Sequence, residues 1–198
     1  MELLDVFDAR GWHLGVKKRD AVHRDGDWHL AFHLWVVSAD GVLLQRRAAT
    51  KASWPGRLDA TAAGHLLAGE QVRDGLREVE EELGVAYAFG DLEPLGVHRV
   101  DDMERPGMHN REFQHVFAVR DERPLSTWTS WARDELDGLV RVGHAGFAAL
   151  ASAEGAAVPG RAWDGEREEE IEVTTADLVP TPYLATIAPA LERVGRAA

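Results

Sequence analysis

The chain has 198 residues, of which 45% are hydrophobic and 28% charged, with a formal net charge of −12 and no cysteine. That length suits a single domain, 1–198, with a sizeable core. The missing cysteine excludes disulfides, thiolate metal sites and thiol nucleophiles. The acidity argues against binding a nucleic acid polymer, which relies on Lys and Arg to neutralise phosphates. No apolar run approaches the ~20 residues that span a bilayer. The acidic start, Met1-Glu2-Leu3-Leu4-Asp5, lacks the basic stretch of a signal peptide. A cytoplasmic protein without a membrane partner is expected.

Leu3 to Val6 reads as a short strand ended by an Asp-Ala-Arg-Gly turn. His29 to Val37 has strand composition, Ala39-Asp40-Gly41 is a hairpin turn, and Val42 to Arg46 is the return strand. Trp54-Pro55-Gly56 marks a turn, and Leu58 to Ala63 is extended. Gln71 to Leu83 is the clearest helix, with Leu76, Val79 and Leu83 as its apolar stripe, Gly84 as its stop and Gly75 as a weak point. Strands over Leu95 to Val100 and Phe113 to Val119 are joined by a polar loop holding Pro106, Gly107 and His109. Leu139 to Val142 is a further strand and Gly146 to Ser152 a helix. Gly165 to Glu170 reads as a solvated tip. Pro182 to Val194 reads as a C-terminal helix that Pro189 could kink. Strands mixed with two or three helices predict an α/β (α+β) sandwich.

Glu78, Glu81 and Glu82 stand at i, i+3 and i+4 of the central helix, so they share one face. Like charges so placed repel by a few tenths of a kcal/mol per pair unless neutralised. A hard divalent cation, Mg²⁺ or Mn²⁺, neutralises them best, especially with a substrate phosphate completing its shell. The competing reading is an exposed acidic helix.

The glycine turn at Gly64, with Glu70 and then Arg77-Glu78-Val79-Glu80-Glu81-Glu82-Leu83-Gly84-Val85, resembles the Nudix box, here 64–85. The match has one departure: six residues, not seven, separate Glu70 from Arg77. The resemblance implies the Nudix fold, an α/β/α sandwich with a mixed sheet, and hydrolysis of a diphosphate linked to another moiety. It implies Glu78 and Glu82 as principal metal ligands, and Glu81 as a further ligand or an orienter of water. Arg77 would hold the loop and the carboxylates by charge-assisted hydrogen bonds.

Three further stretches are similar to type I isopentenyl diphosphate isomerase, a branch of that superfamily: 22–32, 44–51, and Trp54-Pro55-Gly56 with Ala63-Gly64-His65. The position of the isomerase's catalytic cysteine is Ala63 here, while the box carboxylates that the isomerase has lost are kept. Hydrolysis is therefore expected over isomerisation, and a non-catalytic sensor is disfavoured by the same glutamates. His23, His29 and His65 match metal-binding histidines of the isomerase, and Glu112 its catalytic, metal-binding glutamate; Asn110 replaces a neighbouring glutamate. Two readings stay open: a second metal, Mn²⁺ or Zn²⁺, held by these groups, with His65 the first candidate ligand, or His23 and His29 hydrogen-bonded to carbonyls or substrate while His65 fills the glycine turn. Arg46, Arg47 and Lys51 match diphosphate-contacting positions, and Arg19 another. Adjacent strand residues face opposite ways, which leaves one of the arginines for the pocket, and Arg46 is favoured. Glu112 is a candidate catalytic group under the hydrolase reading too. The expected partner is a small-molecule diphosphate, either a nucleoside diphosphate derivative or a prenyl diphosphate, and a homodimer is expected by analogy.

Overall fold

A computed structural model describes residues 2–105 and 108–197. In chain order the strands are β1 (Leu3–Phe7), β2 (His13–Lys18), β3 (Trp28–Ser38), β4 (Gly41–Arg47), β5 (Leu58–Asp59), β6 (Ala62–His65), β7 (Glu93–Arg105), β8 (Met108–Arg120), β9 (Leu136–Val142), β10 (Ala157–Trp163) and β11 (Glu168–Thr174). The helices among the described residues are α1 (Arg19–Asp25), α2 (Leu76–Leu83), α3 (His144–Ser152) and α4 (Leu184–Arg196).

β3 is the spine. It pairs parallel with β8 along its length, antiparallel with β6 over Ala31–Leu34, and antiparallel with β4 over Val36–Ser38. From β4 the sheet continues through β9 and β10 to the edge strand β11. Side chains alternate across these strands and so build two cores. Phe32, Leu34, Val36, Leu43 and Phe117 pack under Val79 and Leu83 of α2. Trp35, Val37, Leu44, Val116 and Ala118 pack on the opposite face, under Phe147 of α3 and Ile187 and Leu191 of α4. Helices on both faces of a mixed sheet give the expected sandwich.

The structure corrects several sequence expectations. The helix expected over Gln71–Leu83 is a 3₁₀ turn over Val72–Gly75 followed by α2. Its start is fixed by Asp74, whose carboxylate accepts the Gln71 N–H at 2.8 Å. The loop expected between β7 and β8 is mostly strand: the two pair from Glu93↔Ala118 to Arg105↔Met108. His109 therefore lies on β8, while Pro106 and Gly107 fall outside the described residues. The tip expected over 165–170 is short, because Glu168 already pairs with Trp163. As an exposed, charged edge strand, β11 discourages pairing with another chain. Pro189 lies inside α4, which runs uninterrupted to Arg196. No strand was anticipated at β2 or β10, and no helix at α1.

Gly75 sits where the 3₁₀ turn meets α2, and a Cβ there would stand 2.5 Å from Cγ of the fully buried Phe32. Helix propensity alone favours alanine by roughly 0.5–1 kcal/mol, but overpacking a rigid core costs roughly 1–3 kcal/mol. Gly75→Ala is thus expected to destabilise the fold by about 1 kcal/mol, read as a lower midpoint in urea unfolding; a stabilised variant would contradict this packing.

Candidate active site

The site is a cleft of about 290 Å³ at the end of the sheet where β6 crosses β3. One wall is the α2 face. Gly64 lets that face approach: a Cβ at this position would fall 2.1 Å from Cδ of Glu78. Arg77 is the hub of the wall. Its guanidinium meets Glu70 at 3.1 Å, Glu78 at 2.9 Å and Glu81 at 2.8 Å. These carboxylates outweigh the penalty of partial burial and raise the arginine's pKa, so it stays charged. Glu70 also accepts the Leu67 N–H at 2.7 Å. A 3₁₀ turn lies between Glu70 and Arg77, and the ion pair closes across the six intervening residues.

Glu82 is buried deepest of the three, 7% exposed. The Ala63 N–H donates to it at 3.2 Å and the Gln45 amide approaches at 3.4 Å. Burial pushes its pKa up to about 8. Burial also raises Glu78, against the pull of Arg77. Glu81 is turned outward, more than half exposed, and tied to Arg77.

The second wall is a histidine cluster. Donor atoms of His23, His29 and His65 all lie within 4.8 Å of one another, and among the described residues this is the one group of three or more ligating side chains so arranged. The α2 glutamates are not drawn together in that way. α1 supplies His23, β3 His29 and β6 His65. Parallel pairing sets His29 beside Glu112 of β8. Glu112 Oε1 stands 3.0 Å from His65 Nε2 and 3.5 Å from His29 Nε2. His23 and His29 each spend Nδ1 on a backbone carbonyl, that of Arg19 at 2.9 Å and that of Asp27 at 3.1 Å. Such a bond fixes the tautomer that leaves Nε2 with a free lone pair, as in metal-ligating histidines. The contact from His29 Nε2 to Glu112 is too long and poorly aimed for a hydrogen bond, so this buried atom has no partner. Burial lowers His65 to about 4 and also lowers His23, so both are neutral near pH 7. Burial alone would raise Glu112, but the hydrogen bond with the His65 imidazole, 3.0 Å away, works against it, and the carboxyl is held well below its usual range. Neutral imidazoles around an ionised carboxylate fit a divalent cation such as Mn²⁺ or Zn²⁺.

Of the expected cations, Lys51 and Arg19 line the cleft, paired with Glu135 and Glu2 respectively. Arg46 does not line it; Arg47 does, 3.1 Å from Asp59. Alternation explains this correction. Gln45 faces Glu82, so Arg47, two residues on, faces the same side and Arg46 the other. A bulge at Arg46/Arg47 then sets Arg47 against Leu136 of β9. Sequence reasoning missed Gln45, Asp59 and Glu135, which no motif marks. His33 also lines the cleft, with its Nδ1 2.7 Å from the Tyr183 hydroxyl.

A glycine-framed carboxylate helix on a mixed-sheet sandwich defines a class of protein, and comparison with known proteins agrees. The NUDIX domain profile matches residues 27–164. An uncharacterised Nudix hydrolase of Clostridium acetobutylicum is 34% identical over 145 residues, 71% of this chain and 69% of that protein. Nudix hydrolase 3 of Arabidopsis thaliana is 39% identical over 129 residues, 63% of this chain but 17% of that protein. An isopentenyl-diphosphate Δ-isomerase of Clavibacter michiganensis is 38% identical over 127 residues, 63% of this chain and 65% of that one. The crystal structure of DR0079 from Deinococcus radiodurans superposes with a TM-score of 0.56 at 17% identity, over 97% of this chain and 100% of that one. The chain belongs to the NUDIX domain family and is an enzyme of the Nudix pyrophosphohydrolase type. No described helix is long and apolar enough to cross a membrane.

The buried Glu82 makes stability depend on pH in a particular window. In the metal-free fold it keeps its proton up to about pH 8, whereas an unfolded glutamate loses it near 4.5. Its contribution is therefore present at low pH and declines as pH rises towards 8. The lowered histidines act oppositely, but only below about 6.5. Between pH 7 and 8 Glu82 dominates, at roughly 1 kcal/mol per pH unit. Thermal melts in chelator are expected to fall by about 3 °C per pH unit there. Glu82→Gln is expected to flatten that slope, and an unchanged slope would remove Glu82 as its source.

Proposed function

We propose that the protein hydrolyses the diphosphate linkage of a small molecule with Mg²⁺ or Mn²⁺ held by Glu78 and Glu82. In this reading His23, His29, His65 and Glu112 hold a second divalent cation. The supporting observation is electrostatic: eight carboxyl groups, of which Glu82 is neutral in the metal-free fold, line the cleft against four Lys and Arg side chains. A diphosphate cannot approach such a surface until divalent cations reverse its field. The unpartnered Nε2 of the buried His29 adds that one cation belongs in the histidine cluster.

When bound, such a cation neutralises diphosphate oxygens and makes a water more acidic. The chain's own residues supply the rest. Arg77 holds Glu70, Glu78 and Glu81 in place without reaching into the reaction itself. Glu82 is steadied by the Ala63 N–H and the Gln45 amide. Glu112 accepts a hydrogen bond from the Gln114 amide at 2.5 Å, which fixes its carboxylate between the histidines. Arg19, Arg47 and Lys51 are the cations available to the diphosphate, with Arg47 in the place expected of Arg46.

A second reading, isomerisation of isopentenyl diphosphate, is favoured by the histidine–glutamate cluster and by the names of several relatives. It lacks a thiol at Ala63, and the backbone there is engaged with Glu82 instead.

Assaying release of phosphate or monophosphate from nucleoside and prenyl diphosphates is the direct test, with double-bond migration followed in parallel. Glu82→Gln is expected to lower Mg²⁺-dependent turnover by roughly a hundredfold or more, at least what losing a metal's outer partner costs. Full activity in that variant would sink the assigned metal role. His29→Gln is expected to lower bound Mn²⁺ by one equivalent in equilibrium dialysis; an unchanged stoichiometry would leave those histidines to the substrate.

A further inference from the structure

We propose that His33 is a further catalytic residue, whose Nε2–H donates a hydrogen bond to a diphosphate oxygen, and that Tyr183 is the positioning residue that fixes the ring for this. The proposal rests on the diphosphate-hydrolase reading above and adds a donor to that site.

His29, Ala31 and His33 alternate along β3 and share one face, and Ala31 and His33 line the cleft. Across the ladder His33 pairs with Ala63 of β6. Directly opposed side chains of an antiparallel pair have Cβ atoms about 5 Å apart. The Ala63 N–H is the one that donates to Glu82. His33 therefore neighbours both cation positions proposed above: the histidine cluster along β3 and, across Ala63, Glu82. Its charged neighbours are Glu112, Asp59 and Arg47. A diphosphate that joins the two cations lays its oxygens over this stretch of floor. Ala63 offers only a methyl group there, which leaves room above the imidazole.

Tyr183 decides which ring nitrogen carries the hydrogen. Burial lowers the His33 pKa, so the ring is neutral near pH 7 and has one N–H. Its Nδ1 lies 2.7 Å from the hydroxyl of the buried Tyr183. Burial raises the phenol's pKa well above its usual value, so the hydroxyl keeps its hydrogen and needs an acceptor. Among the described residues Nδ1 is the acceptor that meets it. The Trp35 indole acts on the same oxygen, although too poorly aligned for a hydrogen bond, and an indole only donates. Nδ1 is therefore bare and the hydrogen sits on Nε2. His98 stacks on the phenol ring at 4.6 Å and keeps it in place. Nε2 has no partner among the described residues, and unlike the sealed polar atoms of the interior it stays open to the cleft. A fixed neutral donor of this kind stabilises charge as it develops on a diphosphate oxygen. In the step, a water oxygen bonds to phosphorus and the P–O bond to the leaving phosphate breaks with its electron pair. One water proton is released to solvent, and His33 keeps its own.

Heteronuclear NMR of the full chain, labelled at its histidine nitrogens, reads the tautomer directly. The Nε2–H form is expected at His33, and Tyr183→Phe is expected to let the Nδ1–H form appear. An Nδ1–H ring in the unsubstituted chain overturns the proposal. Methylenediphosphonate with Mg²⁺, which resists hydrolysis, is expected to shift the His33 Nε2 resonance, and an unmoved resonance at saturation overturns it too. In assays of ADP-ribose and geranyl diphosphate, His33→Leu is expected to lower kcat about a hundredfold, with KM changed by less than about threefold. His33→Gln, whose amide N–H takes the place of Nε2–H, is expected to recover about tenfold of that loss. A damaged fold lowers both variants alike. A Gln variant as slow as the Leu variant, or a Leu variant as fast as the unsubstituted chain, overturns the role of His33 while leaving hydrolysis intact. A shifted Nε2 resonance without turnover of either class of diphosphate upholds the donor and overturns the hydrolase reading.

Discussion

The parallel ladder between β3 and β8 runs from Trp28–Arg111 to Val37–Arg120, and both layers of the sandwich hang from it. Its odd positions on β3 and even positions on β8 face α3 and α4; the others face α2. The same alternation sets His29 beside Glu112 and Ala31 beside Gln114. A slip of one residue would send those groups to the other face and bury apolar side chains where the cleft now opens. The ten-residue ladder thus fixes core and site with one register.

That register concentrates negative charge. Glu82 and Glu112 are both buried, but in opposite electrostatic circumstances. Glu112 has imidazoles beside it and stays ionised, whereas Glu82 has one backbone N–H and a distant amide and holds its proton. The difference gives the two walls different chemistry with the same side chain. One is an anion at neutral pH; the other keeps its proton up to about pH 8 in the metal-free fold.

The parts of this arrangement that were legible in the sequence are those with short-range rules. The α2 glutamates, Arg77, Gly64 and the β3–β4 hairpin follow from helical spacing, glycine and turn chemistry. β2 was hidden because Gly15 and its lysines dilute a strand pattern, and α1 is too short at seven residues to display a period. Arg47 was passed over for Arg46 because strand parity relative to Glu82 depends on which neighbour Gln45 meets, a contact 37 residues away in sequence. Gln114 carries no motif, and only the β3–β8 register places it beside the cleft. The histidine cluster was legible as a set through resemblance; its geometry required three separate elements to converge.

The 3₁₀ turn before α2 has a consequence for how such sites tolerate insertion and deletion. The contact between Glu70 and Arg77 depends on a distance in space, and here the backbone reaches it through a tightly wound turn. A pattern that counts seven residues between the two would pass over this chain, although its guanidinium and carboxylate meet at 3.1 Å. A change of one residue in length would displace a side chain by some 100° on a rigid α-helix, and the 3₁₀ turn is where this loop departs from that geometry. Helical pitch, rather than residue number, is the quantity that this part of the fold adjusts.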